Sequence, residues 1–318
     1  MTKCLKSDFY RLFRGRALYI YLGLILVLSI LTAVMNVPKF ELSEAVMDGE
    51  TITVQSWEAF SEYGEIAYKD KPSGEQLREN KSVIMLESFE KIAGYAAIYT
   101  SLFVIIREFV SEKNKTMKNK VAVGISRFGI YVSKFIFALA VYIFTSIIHV
   151  LATAILILSR NEDILVKAGY LQDAVFSLAV IGFITVSVIV LIIGIFYCIG
   201  PYACVAIALG FTVAAVGLSN IAITKLDEPQ YIETYNEEGV VSVVDNPAYV
   251  TGIERTVYKG MIDYNPLSVF VYSDDDELTF SDPDEFGNTK ETKIRSAIPW
   301  FVIYNALSVL CFKKMERL

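Results

Sequence analysis

Residues 107–134, REFVSEKNKTMKNKVAVGISRFGIYVSK, decide how this chain is read. The stretch is basic, with seven Lys or Arg against two Glu, and it has helix-forming character. On its N-terminal side lies IAGYAAIYTSLFVII and on its C-terminal side FIFALAVYIFTSIIHVLATAILIL, both apolar and uncharged apart from the single histidine of the second. A charged segment between two such runs is a loop at a membrane surface, and Lys and Arg accumulate on the cytoplasmic side.

Outward from that loop, 54% of the 318 residues are hydrophobic and mean hydropathy is +0.47, too apolar for a soluble chain. The apolar residues cluster into runs near the length of a membrane span rather than repeating along amphipathic faces. Spans are predicted at 17–36, 90–106, 135–158, 174–198, 202–223 and 296–312. The first is long enough to cross a bilayer and lacks a convincing cleavage site, so it reads as a span, not a leader. The expected fold class is an all-α polytopic membrane protein with six transmembrane helices, an N-terminal interfacial helix and two sizeable extracellular segments.

Charge supports one orientation. Residues 1–16 carry five basic and one acidic residue, 107–134 seven and two, and 313–318 three and one. The alternate segments are acidic: 37–89 has five basic and eleven acidic residues, 159–173 two and three, 224–295 six and sixteen. Both termini are therefore expected inside. The four cysteines agree, because Cys4, Cys198, Cys204 and Cys311 all fall on or near the inner side and outside the two long external segments. No disulfide framework is expected.

Within 3–16, Leu5, Phe9, Leu12 and Phe13 share one helical face while Lys6, Arg11 and Arg14 lie elsewhere, the pattern of a helix lying in the interface. In the external segment 37–89, Ser73 with Gln76 has capping-box form, opening one long helix that runs into span two. The only histidine, His149, lies three residues after Ser146 on one face of span three. An ionisable group there is a candidate for a substrate path. A hydrolase reading lacks an oxyanion hole and an orienting carboxylate, and one histidine cannot build a zinc-protease site. The acidic runs at 274–277 and 282–285 lack calcium-loop spacing, so no metal site is expected. Gly182, Gly194, Gly210 and Gly217 allow close helix approach, within the chain or between subunits.

The order Glu108, Lys-rich turn, Gly124, Ser126-Arg127, Lys134 resembles the permease subunits of ABC-2-type ABC exporters. In these a Glu leaves the second span, a Ser-Arg pair follows and a Lys opens the third. Tyr264-Asn265-Pro266-Leu267 is similar to the Asn-Pro turn these permeases carry between spans five and six, where short helices re-enter the outer membrane. The resemblance extends to bacterial peptide or lantibiotic export and immunity permeases, whose plan includes a longer first external segment. It implies that 107–134 couples to an ATPase through Glu108, Gly124, Ser126, Arg127 and Lys134, and that the chain lies in a bacterial plasma membrane. The phosphate-cradling Gly-x-x-x-x-Gly-Lys-Ser/Thr loop is absent from the chain. ATP and Mg2+ are thus expected on a separate dimeric ABC ATPase, with a second permease chain completing the membrane part and no nucleic acid as partner. The chain itself is not expected to be an enzyme. The alternative is a membrane sensor or immunity subunit that captures peptide on its external segments without moving it.

Overall fold

The structure is a computed structural model that describes residues 2–47, 50–59, 62–113, 120–122, 124–160, 163–165, 168–226, 228–235, 241–265 and 290–314. It is mostly helical. Among the described residues, six helices are long and apolar enough to cross a membrane, over Leu18–Asn36, Gly94–Ser111, Arg127–Ser159, Ala174–Ile199, Pro201–Leu226 and Ile294–Lys314. The chain is a multi-pass membrane protein. Apolar runs of this length take the helical form because a bilayer offers no water to unpaired backbone groups.

The chain divides into two compact units, Met1–Gly194 with Ser308–Leu318, and Ile195–Leu307. In the first, α1 (Thr2–Arg14) leads at Gly15 into α2 (Arg16–Asn36). Then come strands β1 (Lys39–Met47), β2 (Glu50–Ala59) and β3 (Glu62–Tyr68), and the 40-residue helix α3 (Gly74–Lys113). Helix α4 (Arg127–Ser159) and most of α5 (Ala168–Ile199) follow.

Alongside the helices, the segment after α2 folds as strands. β1, β2 and β3 form an antiparallel meander, with Ser43 opposite Val54 and Trp57 opposite Gly64. β-branched and aromatic residues in 50–59, ETITVQSWEA, suit a pleated surface. One side of the sheet closes on α3. Gln55, fully buried, receives a 2.9 Å hydrogen bond from the Tyr68 hydroxyl and faces Leu77 of α3.

The capping box at the head of α3 is present. The Gln76 amide donates to Ser73 Oγ at 3.2 Å, and the Ser73 amide to Gln76 Oε1 at 2.9 Å. From there α3 runs without a break into its span. Helices α4 and α5 approach closely at Gly182, where an added Cβ would lie 2.3 Å from the Tyr142 ring.

The second unit contains α6 (Pro201–Leu226), the hairpin of β4 (Tyr231–Tyr235) and β5 (Val241–Asp245), and α7 (Gly252–Asp263). It also takes in most of α8 (Lys290–Lys314). Ile262, Tyr258 and Met261 of α7 pack on Ala222 and Leu226 of α6. Gly210 and Gly217 of α6 have no neighbour within 4 Å of where a Cβ would stand, whereas Gly194 meets Cys311 and Phe312 within the first unit.

Candidate functional site: a buried ion network at the basic end of the helices

Helix α1 buries one side chain per turn. Cys4, Asp8 and Leu12, four residues apart, are 1%, 2% and 7% exposed. This stripe docks beside α4, where Phe9 meets Phe137 edge to face at 5.5 Å. Of the apolar face read from the sequence, Leu12 is buried, Phe9 packs on Phe137, and Phe13 is 62% exposed. The same stripe carries the Asp8 carboxylate inward to two ammonium groups.

One of these is Lys134, on the first turns of α4 and 2% exposed. Its Nζ lies 2.6 Å from Glu108 Oε1 and 3.4 Å from Asp8 Oδ2. The second is Lys120, with Nζ 2.7 Å from Asp8 Oδ1. Ser133 Oγ donates to Asp8 Oδ2 at 3.3 Å. Arg107 Nη2 donates to the Asp8 carbonyl at 2.8 Å, while its guanidinium stacks 4.3 Å over the Phe137 ring and Nη1 lies 3.8 Å from Glu108.

Taking carboxylates out of water is costly, and such groups persist only when paired and hydrogen-bonded. For Asp8, burial pushes the carboxyl upward, but the neighbouring Lys134 and Lys120, the Lys120 hydrogen bond and Arg107 together hold it below its ordinary value. Asp8 is charged at neutral pH and ties α1 to α3, to the turn at 120 and to α4.

The remaining coupling candidates build the chain reversal into α4. Gly124 sits at φ +78°, in the left-handed region that a side chain disfavours, and its amide donates to the Val121 carbonyl at 2.9 Å. Ser126 then caps α4, its Oγ accepting from the Gly129 amide at 3.1 Å. Arg127, the first helical residue, donates through Nη1 to the Lys313 carbonyl at 3.2 Å, at the end of α8.

The structure therefore joins Glu108 to Lys134 directly and places Gly124, Ser126 and Arg127 on the adjoining turn. Glu108 is turned inward, 2% exposed, so it acts on its surroundings by positioning α3 against α4. Sequence reasoning did not single out Asp8, Lys120 or Arg107. The signal was present for Asp8, the sole acid among the first 16 residues and set in the stripe between Cys4 and Leu12. Lys115 and Lys118, in the Lys-rich turn, lie outside the described residues.

The other candidates are held by other contacts. His149 is 1% exposed, with Nδ1 3.4 Å from Thr32 Oγ1 of α2 and its ring stacked 5.4 Å from Tyr99 of α3. Ser146 is buried on the same helix. These contacts are those of packed helices. Asn265 lies two residues beyond α7 and is 4% exposed; its Nδ2 donates to the Ala215 carbonyl at 2.8 Å and to Ser219 Oγ at 2.7 Å. Pro266 and the acidic runs at 274–277 and 282–285 lie outside the described residues. Among the described residues no three His, Cys, Asp or Glu side chains are grouped to hold a metal ion. Compared with protein-family models, curated protein sequences and solved structures, the chain matches none of them.

Proposed function

We propose that this chain is the membrane-spanning permease subunit of an ABC-2-type exporter, driven by a separate dimeric ATPase that carries ATP and Mg2+. Its cargo would be an amphipathic molecule, a peptide or lantibiotic, a drug or a lipid, moved out of a bacterial plasma membrane with both termini inside. A second permease chain would complete the path.

The observation that carries the reading is the buried network of Asp8, Glu108, Lys120 and Lys134. It binds α1, the end of α3, the turn at 120 and the start of α4 into one rigid piece at the basic end of the spans. A partner pressing on the surface around Gly124–Arg127 would move that piece as a lever, tilting α3 and α4 together. Such a switch works through a packed element with two discrete positions. A loose connector of the same charge would absorb the push.

Co-purification from the native host, followed by ATPase measurement with candidate peptides, tests the proposal. An ABC ATPase should accompany the chain, and its hydrolysis should respond to substrate. Arg127→Glu should weaken that response while the permease still inserts. Purification of an intact chain without any ATPase, or an Arg127→Glu variant with unchanged stimulation, would remove the reading.

A further inference from the structure

Between α2 and α3 runs an apolar groove of about 420 Å³, a volume in the range of small-molecule sites. Ile20 and Leu24 of α2 and Leu102 and Ile106 of α3 form its walls, each more than half exposed. Tyr21 and Ile25 form the floor and are buried. Tyr21 stacks on Phe103 at 3.8 Å, which sets the two antiparallel helices in register.

The groove has a limited depth. On α3 its lining runs from Tyr99 to Val110, about 16 Å at 1.5 Å per residue. That is roughly half of the 30 Å hydrocarbon core, or one leaflet. On α2 the lining stops at Leu28, although the helix continues to Asn36. A helix from a second copy would contact the full thickness. An acyl chain occupies one leaflet, as the groove does.

One end of the groove is cationic. Arg107 lines it, and Arg11 reaches Ser111, one turn beyond Arg107, at 3.3 Å. Arg16 lies one turn before Ile20 on the same face of α2, is exposed, and makes no ion pair among the described residues. The carboxylates nearby, Asp8 and Glu108, are buried and already held by Lys120 and Lys134. What faces the headgroup layer is positive charge. Basic pockets between membrane helices recognise anionic headgroups.

We propose that this groove binds an anionic phospholipid: one acyl chain fills it, and the headgroup phosphate sits at Arg16 in the field of Arg11 and Arg107. Such a lipid would brace the basic end of α2 against α3. The inference needs only membrane-crossing helices and stands whether or not the chain is a transporter.

The test uses the full chain, delipidated in detergent, with phosphatidylglycerol or phosphatidylcholine of identical chains added back and bound lipids counted by native mass spectrometry. Phosphatidylglycerol should be retained preferentially. Arg16→Ala should weaken its binding about fivefold, from about 1 kcal/mol per surface cation, and Arg16→Lys should restore most of it. Leu24→Trp, which fills the groove, should lower retention of bound lipid, whereas Val213→Trp, at a position 71% exposed on α6, should not. Equal retention of both lipids would overturn the proposal, as would unchanged binding in Leu24→Trp. A Leu24→Trp variant that turns a dimer into a monomer with its lipid count unchanged would assign the groove to a second copy instead.

Discussion

Removing the Lys134 ammonium is the perturbation with the largest expected effect, and its size follows from burial rather than distance. Arg78 and Asp163 approach as closely, at 2.7 Å, but their side chains are 50% and 65% exposed. Exposed pairs contribute about 0–1 kcal/mol. Lys134 and Glu108 are 2.6 Å apart and each 2% exposed. Deleting one partner of a buried pair strands the other charge and costs about 3–5 kcal/mol. Lys134→Ala removes the 2.6 Å partner of Glu108, leaving Arg107 3.8 Å away, and takes one of two ammonium groups from Asp8. For a unit of this size about 1 kcal/mol shifts Tm by roughly 2–4 °C, so Lys134→Ala should lower it by roughly 6–20 °C and Arg78→Ala by at most a few degrees. Thermal unfolding of the detergent-solubilised chain reads the first quantity. Maleimide labelling of Cys4, 1% exposed and the sole cysteine retained, reads the undocking of α1. The double variant Glu108→Gln/Lys134→Met removes both charges and should recover most of the loss, because an apolar replacement of a buried pair is often neutral. A Lys134→Ala shift no larger than that of Arg78→Ala, with Cys4 still protected, would refute the reasoning.

Acid should release α1. The Asp8 carboxyl is held below its ordinary 3.8, so its contribution is fully present above that value and is lost as pH falls through the lower folded value. Hydrogen exchange in 2–14 should stay slow from neutral pH to about 4 and accelerate below, after correction for the intrinsic pH dependence of exchange; a constant corrected rate down to pH 2 would contradict this. Gly124→Ala places a Cβ in open space but at φ +78°, so the cost is backbone strain alone, about 1–2 kcal/mol, seen as a Tm lowered by a few degrees in a chain that still folds. Asn265→Ala breaks the bonds to Ala215 and Ser219, at about 1–3 kcal/mol for the stranded acceptors. Faster exchange confined to 252–263 should report it. Orientation is checked by single cysteines in a cysteine-free chain: one at Glu62 should react with impermeant reagent on intact cells and one at Asn119 should not. The reverse pattern would invert the topology.

Much of the local structure was legible before any coordinates. The Ser73–Gln76 box joins residues three apart, so adjacent side chains suffice to specify it; the Ser126 cap has the same spacing but was not read, because the span was expected to begin at 135. Gly124 falls where the chain must reverse. The strands were harder to read. Antiparallel pairing sets Phe40 against Trp57 and Ser56 against Glu65, and that register exists only once separate segments meet.

By itself the sequence determined six membrane-length helices and the alternating charge of the segments between them. Both follow from transfer of a run of residues between water and lipid, which depends on composition and not on partners. Tertiary structure alone decided where the buried charges go. Glu108 meets Lys134 across 26 positions, and Asp8 meets Lys120 across 112. It also set the one carboxylate of α1 inward, between Cys4 and Leu12 on the buried stripe. A charge leaving water takes the nearest opposite charge in space, and nearness in space is set by how α1, α3 and α4 pack.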